Sequence, residues 1–552
     1  MTLTAPTRYP IAAMLAFAAL VGVIAGVGAW LFRLLIGLVH NLAFLGVLRL
    51  DYEANAHTVA APFGAWVILA PAAGAVLVAF LVSNFAPEAK GHGVPEVMDA
   101  VHFREGLIRP QVAAVKSLAS AISIGTGASV GREGPIVQIG SAFGSTLGQI
   151  LPMGAPDRRL LVAAGAGAGI AATFNAPLGG LLFAVELLLL SVNARNLLVV
   201  ATAVVVATRI GQALLGDAPA FVVPALEVSK ALLLAPGALG LFLLLGAVTG
   251  LLSVAFIRAI YRAEDVFDAI PGNYYTRHVL GMLGVGLLLW VLLQRTGHYY
   301  VEGVGYATIM DVLGGALSDP WFLLLLAALK LVATALSIGS GASGGVFSPA
   351  LFIGATAGGA VGVIVTQLAP GMGLGVPAFA LAGMAGMVGG TTGAVLTAIV
   401  MITELTDDTA ILLPLIITAA AAWWTRRAVM AESIYTMKLL ARGHAVPEGL
   451  QAPVLPVLRV ADAMTQEPFR IEAAPDGHIA AVSDAEGRAL RFVTSWPREG
   501  LLQAATRMHD AGAEVILVLP TVQSRVTPEA VIGAVTQAAL VGQLKSELER
   551  HR

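Results

Sequence analysis

One stretch of this chain is written twice. Lys116–Pro135 reads KSLASAISIGTGASVGREGP and Lys330–Pro349 reads KLVATALSIGSGASGGVFSP, identical at eleven of twenty positions. A looser match follows, in which Ala164-Gly165, Thr173, Leu178 and Glu186-Leu187 recur as Ala382-Gly383, Thr391, Leu396 and Glu404-Leu405. Two duplicated blocks in the same order divide the apolar part of the chain into related halves, expected at about 60–215 and 280–425. In membrane proteins, paired repeats put a transport path at their interface.

The membrane assignment comes from charge. Only 12% of residues are charged and 57% are hydrophobic, whereas soluble domains carry about 25% charge. Leu331–Thr403, Ala231–Ile257 and Ala54–Pro87 contain no Asp, Glu, Lys or Arg, and each is long enough to cross a hydrocarbon core of about 30 Å. Sixty-two glycines within such sequence point to broken helices, which lipid tolerates where protein or water satisfies the freed backbone. The expected fold is an all-α integral membrane domain over 1–437, built as two inverted-topology repeats of short, tilted and re-entrant helices. A linker over 438–459 and a small α/β domain over 460–552 follow. The first helix is read as retained, because no small-residue cleavage site follows a short apolar core. Arg426-Arg427, Lys438 and Arg442 after the last span put the C-terminal domain in the cytoplasm of a multi-pass protein of the cell inner (plasma) membrane. With no cysteine and a net charge of -2, thiolate metal sites and cysteine nucleophiles are excluded. No metal site, cofactor or nucleic-acid partner is expected.

Three loops carry the chemistry. Gly131-Arg132-Glu133-Gly134-Pro135, Gly345-Val346-Phe347-Ser348-Pro349 and Gly91-His92-Gly93-Val94-Pro95 each set glycine before a proline that starts a helix. A helix starting there turns free N–H groups and the positive end of its dipole toward the centre, which suits an anion. Glu133 is a carboxylate at membrane depth, costly unless paired, solvated or protonated.

GHGVP, GREGPIVQIGS, FNAPLGGLLFAVE, GGVFSPALFIG and the late Tyr435 occur in this order. Together they resemble the motifs of the CLC family of chloride channels and proton–chloride exchangers. The resemblance implies a homodimer in the lipid bilayer, with chloride or a similar anion passing through a separate pore in each subunit. It makes Glu133 the gate, whose carboxylate competes with the anion, and His92, Gly134, Val346, Phe347 and Tyr435 the anion-binding positions. The tail, with VADAMT at Val460 and VIGAVTQ at Val531, resembles a single CBS domain, a type that acts in pairs and often binds adenine nucleotides; one irregular copy favours dimerisation over a nucleotide site, and a solvated cap without a ligand is the alternative. A helix over Leu501–Gly512 and a strand over Glu514–Pro520 are expected between those ends.

Two departures from the family bear on mechanism. His92 stands where the family has a serine, and is read either as a neutral donor to the anion or as a pH sensor able to pair with Glu133. Leu187 stands where the exchangers carry a second glutamate, so the proton-pathway position is lost. The expectation is therefore a passive, voltage- or pH-gated channel, with a proton-coupled exchanger as the alternative. Lys116 and Lys330 are read as partners of nearby carboxylates or carbonyls, or else as a positive field beside the path. Glu186 and Glu404 are expected to satisfy buried backbone; a plain salt bridge between Arg132 and Glu133 is the alternative to the gate reading. A remote alternative, an intramembrane serine protease, rests on Gly341-Ala342-Ser343-Gly344, but no histidine lies within Leu331–Thr425 to take the proton. A cation-coupled carrier with inverted repeats would need carbonyls and carboxylates where this chain offers helix N-termini.

Overall fold

Apolar runs broken by glycine fold into helices of unequal length. In the computed structural model, which describes residues 9–217, 230–406, 408–444, 446, 459–465, 469–497, 499–521 and 526–550, eight helices among the described residues are long and apolar enough to cross a bilayer. Others are too short for that, including Val94–Phe103 with 10 residues and Tyr306–Leu313 with 8. The chain divides into two units, Met1–Leu450 and Gln451–Arg552.

The first unit is a duplication. Leu69–Asn84, Val94–Phe103, Gln111–Gly125, Glu133–Ile150, Ala155–Phe174, Pro177–Leu187 and Ala194–Leu215 are followed in the same order by Tyr274–Thr296, Tyr306–Leu313, Pro320–Ser340, Phe347–Leu368, Val376–Thr392, Val395–Thr406 and Leu412–Val429. The repeats also reach further back than the expected starts at 60 and 280. Ile11–His40 packs on Ala194–Leu215 and Ala155–Phe174, and Pro236–Ala269 packs on the equivalent Leu412–Val429 and Val376–Thr392. Each repeat thus begins with a long apolar helix.

Glycine sets how closely the helices approach. Glu133–Ile150 and Ala155–Phe174 cross at Gly140 and Gly165, where a Cβ on either would collide with the other's carbonyl oxygen. Gly354 and Gly383 repeat that crossing between Phe347–Leu368 and Val376–Thr392. In lipid, such close packing replaces the hydrophobic drive that holds soluble helices together.

Buried serines stitch the repeats reciprocally. The Ser129 N–H donates to Ser337 Oγ at 3.1 Å, and the equivalent Ser343 N–H donates to Ser123 Oγ at 3.2 Å. Their hydroxyls reach equivalent carbonyls, Ser129 to Val301 at 2.8 Å and Ser343 to Ala89 at 2.7 Å. Exchange of this kind defines a pseudo-two-fold relation between the halves, and it satisfies polar groups that lipid could not.

The interval expected as linker, 438–459, starts too early. Lys438 lies in the helix Ile434–Ala441, capped by Ser433. Arg442 and His444 then pair with Glu96 and Asp99 of Val94–Phe103. These charges are side-chain partners of the membrane unit rather than signs of a solvated connection; residues 447–458 lie outside the described residues. The expected sidedness signal changes as well. Arg426 is fully buried and donates to the carbonyls of Gly390, Met430 and Ala431, so it closes a helix end instead of marking an aqueous loop.

The second unit is a small α/β domain. Strands β1 (Arg470–Ala473), β2 (Ile479–Ser483) and β3 (Ala489–Leu490) form an antiparallel sheet. In the other sheet, β4 (Phe492–Ser495) pairs parallel with β5 (Val515–Val518), which pairs antiparallel with β6 (Gly533–Thr536). The expected helix forms over Leu501–Asp510 and supplies the crossover between the parallel strands. Leu501, Ala504 and Met508 on it pack with Val460, Ile516 and Val535.

Candidate anion-binding site

All three glycine loops meet at the centre of the membrane unit. Gly91 bridges to Ser343, and Gly131 bridges to Gly345. A Cβ at Gly134 would collide with the His92 carbonyl, and one at Gly93 would press on the Gly134 carbonyl. The helices Val94–Phe103, Glu133–Ile150 and Phe347–Leu368 all start from these loops, so three helix N-termini converge. His92, Val346, Phe347 and Tyr435 are all at most 2% exposed. The His92 ring lies 5.8 Å from that of Tyr435, and its Nδ1 is buried without a hydrogen-bond partner.

Glu133 is 1% exposed. Its Oε1 accepts from the Tyr306 hydroxyl at 2.6 Å and the Ser348 hydroxyl at 2.5 Å, and its Oε2 accepts from the Ser348 N–H at 3.3 Å. A carboxylate so held occupies a cage of donors, and charge-assisted bonds of this kind are the strong ones. The alternative reading, an Arg132–Glu133 salt bridge, is not formed, since Tyr306 and Ser348 hold the carboxylate. Arg132 instead lies over the Tyr306 ring, 5.2 Å from its centroid. Nor does His92 pair with Glu133, whose partners come from Tyr306 and Ser348; the ion pair on which the pH-sensor reading drew is not formed.

Tyr306 and Ser348 were not among the expected site residues, although the signal for Tyr306 was there. Gly303-Val304-Gly305-Tyr306 repeats Gly91-His92-Gly93-Val94, and Met310-Asp311 repeats Met98-Asp99. The lysines complete that equivalence. Lys116 Nζ donates to the carbonyls of Ala89 and Gly91 at 3.0 and 2.7 Å, and Lys330 Nζ donates to those of Val301 and Gly303 at 3.1 and 2.7 Å. Each lysine pins the loop before a short helix.

The two repeated glutamates act across the repeats. Glu186 accepts from the N–H groups of Leu396 and Thr397 and from the Thr397 hydroxyl, at 2.9, 2.7 and 2.6 Å. Glu404 accepts from the N–H groups of Leu178 and Gly179 at 2.8 and 2.7 Å. Each caps the helix that carries the other, a favourable place for negative charge. Leu187, next to Glu186, is a buried apolar helix end. The protease reading fails on geometry: the Ser343 hydroxyl donates to the Ala89 carbonyl and sits 2.9 Å from Ser120 Oγ.

Comparison with known proteins matches this architecture. The family described as voltage gated chloride channel covers residues 74–427. An H(+)/Cl(-) exchange transporter ClcA of Vibrio parahaemolyticus is 35% identical over 442 residues, 77% of this chain and 89% of the relative. The ClcA of Yersinia pestis bv. Antiqua (strain Angola) is 34% identical over 386 residues, covering 68% and 77% of the two chains. Among solved structures, a slow cyanobacterial Cl-/H+ antiporter superposes with a TM-score of 0.68 at 25% identity, covering 79% of this chain and 99% of that one. A eukaryotic CLC transporter shares the fold at a TM-score of 0.64 and 20% identity, covering 95% and 97% of the two chains. By its duplicated helices, its converging loops and these matches, the chain belongs to the voltage-gated chloride channel (CLC) family.

Proposed function

We propose that this protein exchanges chloride for protons, with Glu133 moving between its cage and solvent. The observation that carries the reading is the cage itself. Three donors from the second repeat converge on one buried carboxylate, and the same donors suit a dehydrated anion. Chloride and the Glu133 carboxylate therefore compete for one place. Protonation removes the charge that the donors hold, so proton uptake and anion entry are linked at one residue. The exchange-transporter relatives named above favour this over the passive channel expected from the sequence.

His92, Gly134, Val346, Phe347 and Tyr435 are proposed to line the anion's place further along the path, since all five lie at or beside the converging helix starts. We further read the repeats as inverted in topology and the active form as a homodimer in the inner (plasma) membrane. The second unit is read as a CBS-like cytoplasmic cap. Reciprocal contacts support the first of these readings, and the family resemblance supports the others. A channel is the second reading, favoured by Leu187: leucine relays no proton, and this helix end is buried.

Reconstitution in liposomes with a chloride gradient, recording chloride and pH together, tests the proposal. Exchange requires proton movement against its gradient, driven by chloride, and Glu133→Gln must abolish that movement. Leu187→Glu is expected to raise proton turnover severalfold. Chloride flux that needs only a charge shunt, with no uphill proton movement, would establish the channel instead.

A further inference from the structure

Arg132 is 8% exposed, and its Nε is buried with no hydrogen-bond acceptor. A guanidinium in that position is costly unless something negative meets it. Its neighbour Glu133 does not, since that carboxylate is held by Tyr306 and Ser348. Stacking on the Tyr306 ring uses one face of the group and satisfies none of its in-plane N–H donors.

Arg132 lines a cavity of about 150 Å³ together with Arg33, Glu53, Asn55, Asn175 and Gln212. Arg33 brings a second guanidinium to the same lining. Its nearest carboxylate oxygen, on Glu53, is 3.9 Å away, too far for a hydrogen bond. The amides of Asn175 and Gln212 are engaged elsewhere: Gln212 Nε2 donates to Asn175 Oδ1 at 2.9 Å, and Asn175 Nδ2 donates to the Asp217 carbonyl at 2.7 Å. Two guanidinium groups, Arg132 and Arg33, therefore line the cavity. With Glu53 as the one carboxylate in the lining, the formal charge is +1, which selects for a monovalent anion.

We propose that Arg132 and Arg33 form a docking site for a small monovalent anion, distinct from the Glu133 cage and separated from it by the Tyr306 ring. An anion resting there neutralises a buried cation and waits one residue from the gate. Because Arg132 stacks on the tyrosine that donates to Glu133, its occupancy also bears on how firmly the gate is held. The inference rests on the anion-transport reading above.

Chloride dependence of flux in oriented liposomes, varied on one side at a time, tests it. Arg33→Gln is expected to raise the half-saturating chloride concentration threefold to tenfold on one side only, with the maximal rate retained and with Arg33→Lys near wild type. An unchanged value on both sides, or an equal rise on both, overturns the site. If Arg33→Gln does not assemble, bromide is diffused into crystals of the wild-type protein. Anomalous density within hydrogen-bond reach of Arg132 and Arg33 supports the site, and its absence at saturating bromide overturns it. Wild-type protein that moves no anion would instead defeat the transport reading, while the bromide result still decides the site.

Discussion

Gly131 and Gly345 exchange both of their backbone hydrogen bonds, each N–H to the other's carbonyl, at 2.7 and 2.6 Å. They occupy equivalent places in the two repeats, so the pseudo-two-fold axis runs between them. The scaffold around that axis is nearly symmetric, but the site is not. Glu133 corresponds to Phe347, Ser348 to Gly134 and Tyr306 to Val94. The first repeat supplies the acid and the second supplies its side-chain donors, whereas the mirrored place offers glycine backbone. Side-chain divergence on a duplicated backbone thus places a held carboxylate at one position and glycine at its mirror.

Tyr306→Phe removes one of the hydroxyls that hold Glu133. A hydrogen bond to a charged group contributes about 1.5–3 kcal/mol, and every 1.4 kcal/mol is about tenfold. The closed gate should therefore be disfavoured by about 10- to 100-fold, seen as faster chloride flux at neutral pH wherever gate release limits turnover. A variant as slow as wild type would mean that the hydroxyl does not restrain the gate.

Glu186→Gln and Glu404→Gln are expected to lower thermal stability by similar amounts, about 1–3 kcal/mol each, because a neutral amide leaves a helix N–H poorly satisfied. The ratio of chloride to proton moved should not change in either. A changed ratio in one variant alone would give that glutamate a role in proton movement.

Gly354→Ala drives a methyl group into the Gly383 carbonyl and should cost about 1–3 kcal/mol through overpacking. Gly240 lies in a helix with open space around it, so Gly240→Ala serves as the control. Melting followed by size-exclusion chromatography in detergent should separate the two.

His92→Ser replaces a ring packed near Tyr435 with a smaller donor. The ratio of chloride to nitrate flux should shift severalfold, because the shape beside the anion changes while a hydrogen-bond donor remains. Identical selectivity in the variant would remove His92 from the anion's surroundings.

The duplication, the membrane-embedded helices and the place of Glu133 at a helix start were legible in the chain because each rests on local signals. Lys, Gly-Ala-Ser and Pro recur at matching places in the two halves, charge is absent over long runs, and glycine precedes proline at helix starts. The lysines and the repeated glutamates were readable as partners of backbone for the same reason, though not which backbone. Their acceptors and donors lie in other segments, and for Glu186 and Glu404 in the opposite repeat. Ile11–His40 and Pro236–Ala269 escaped recognition as equivalents because apolar side chains facing lipid are free to vary. Tertiary structure alone decided that Tyr306 and Ser348 hold Glu133 and that Arg132 turns to the Tyr306 ring and an open cavity. Those choices depend on which side chains a pseudo-two-fold fold brings within hydrogen-bond reach, and no spacing along one chain encodes a contact made across that axis.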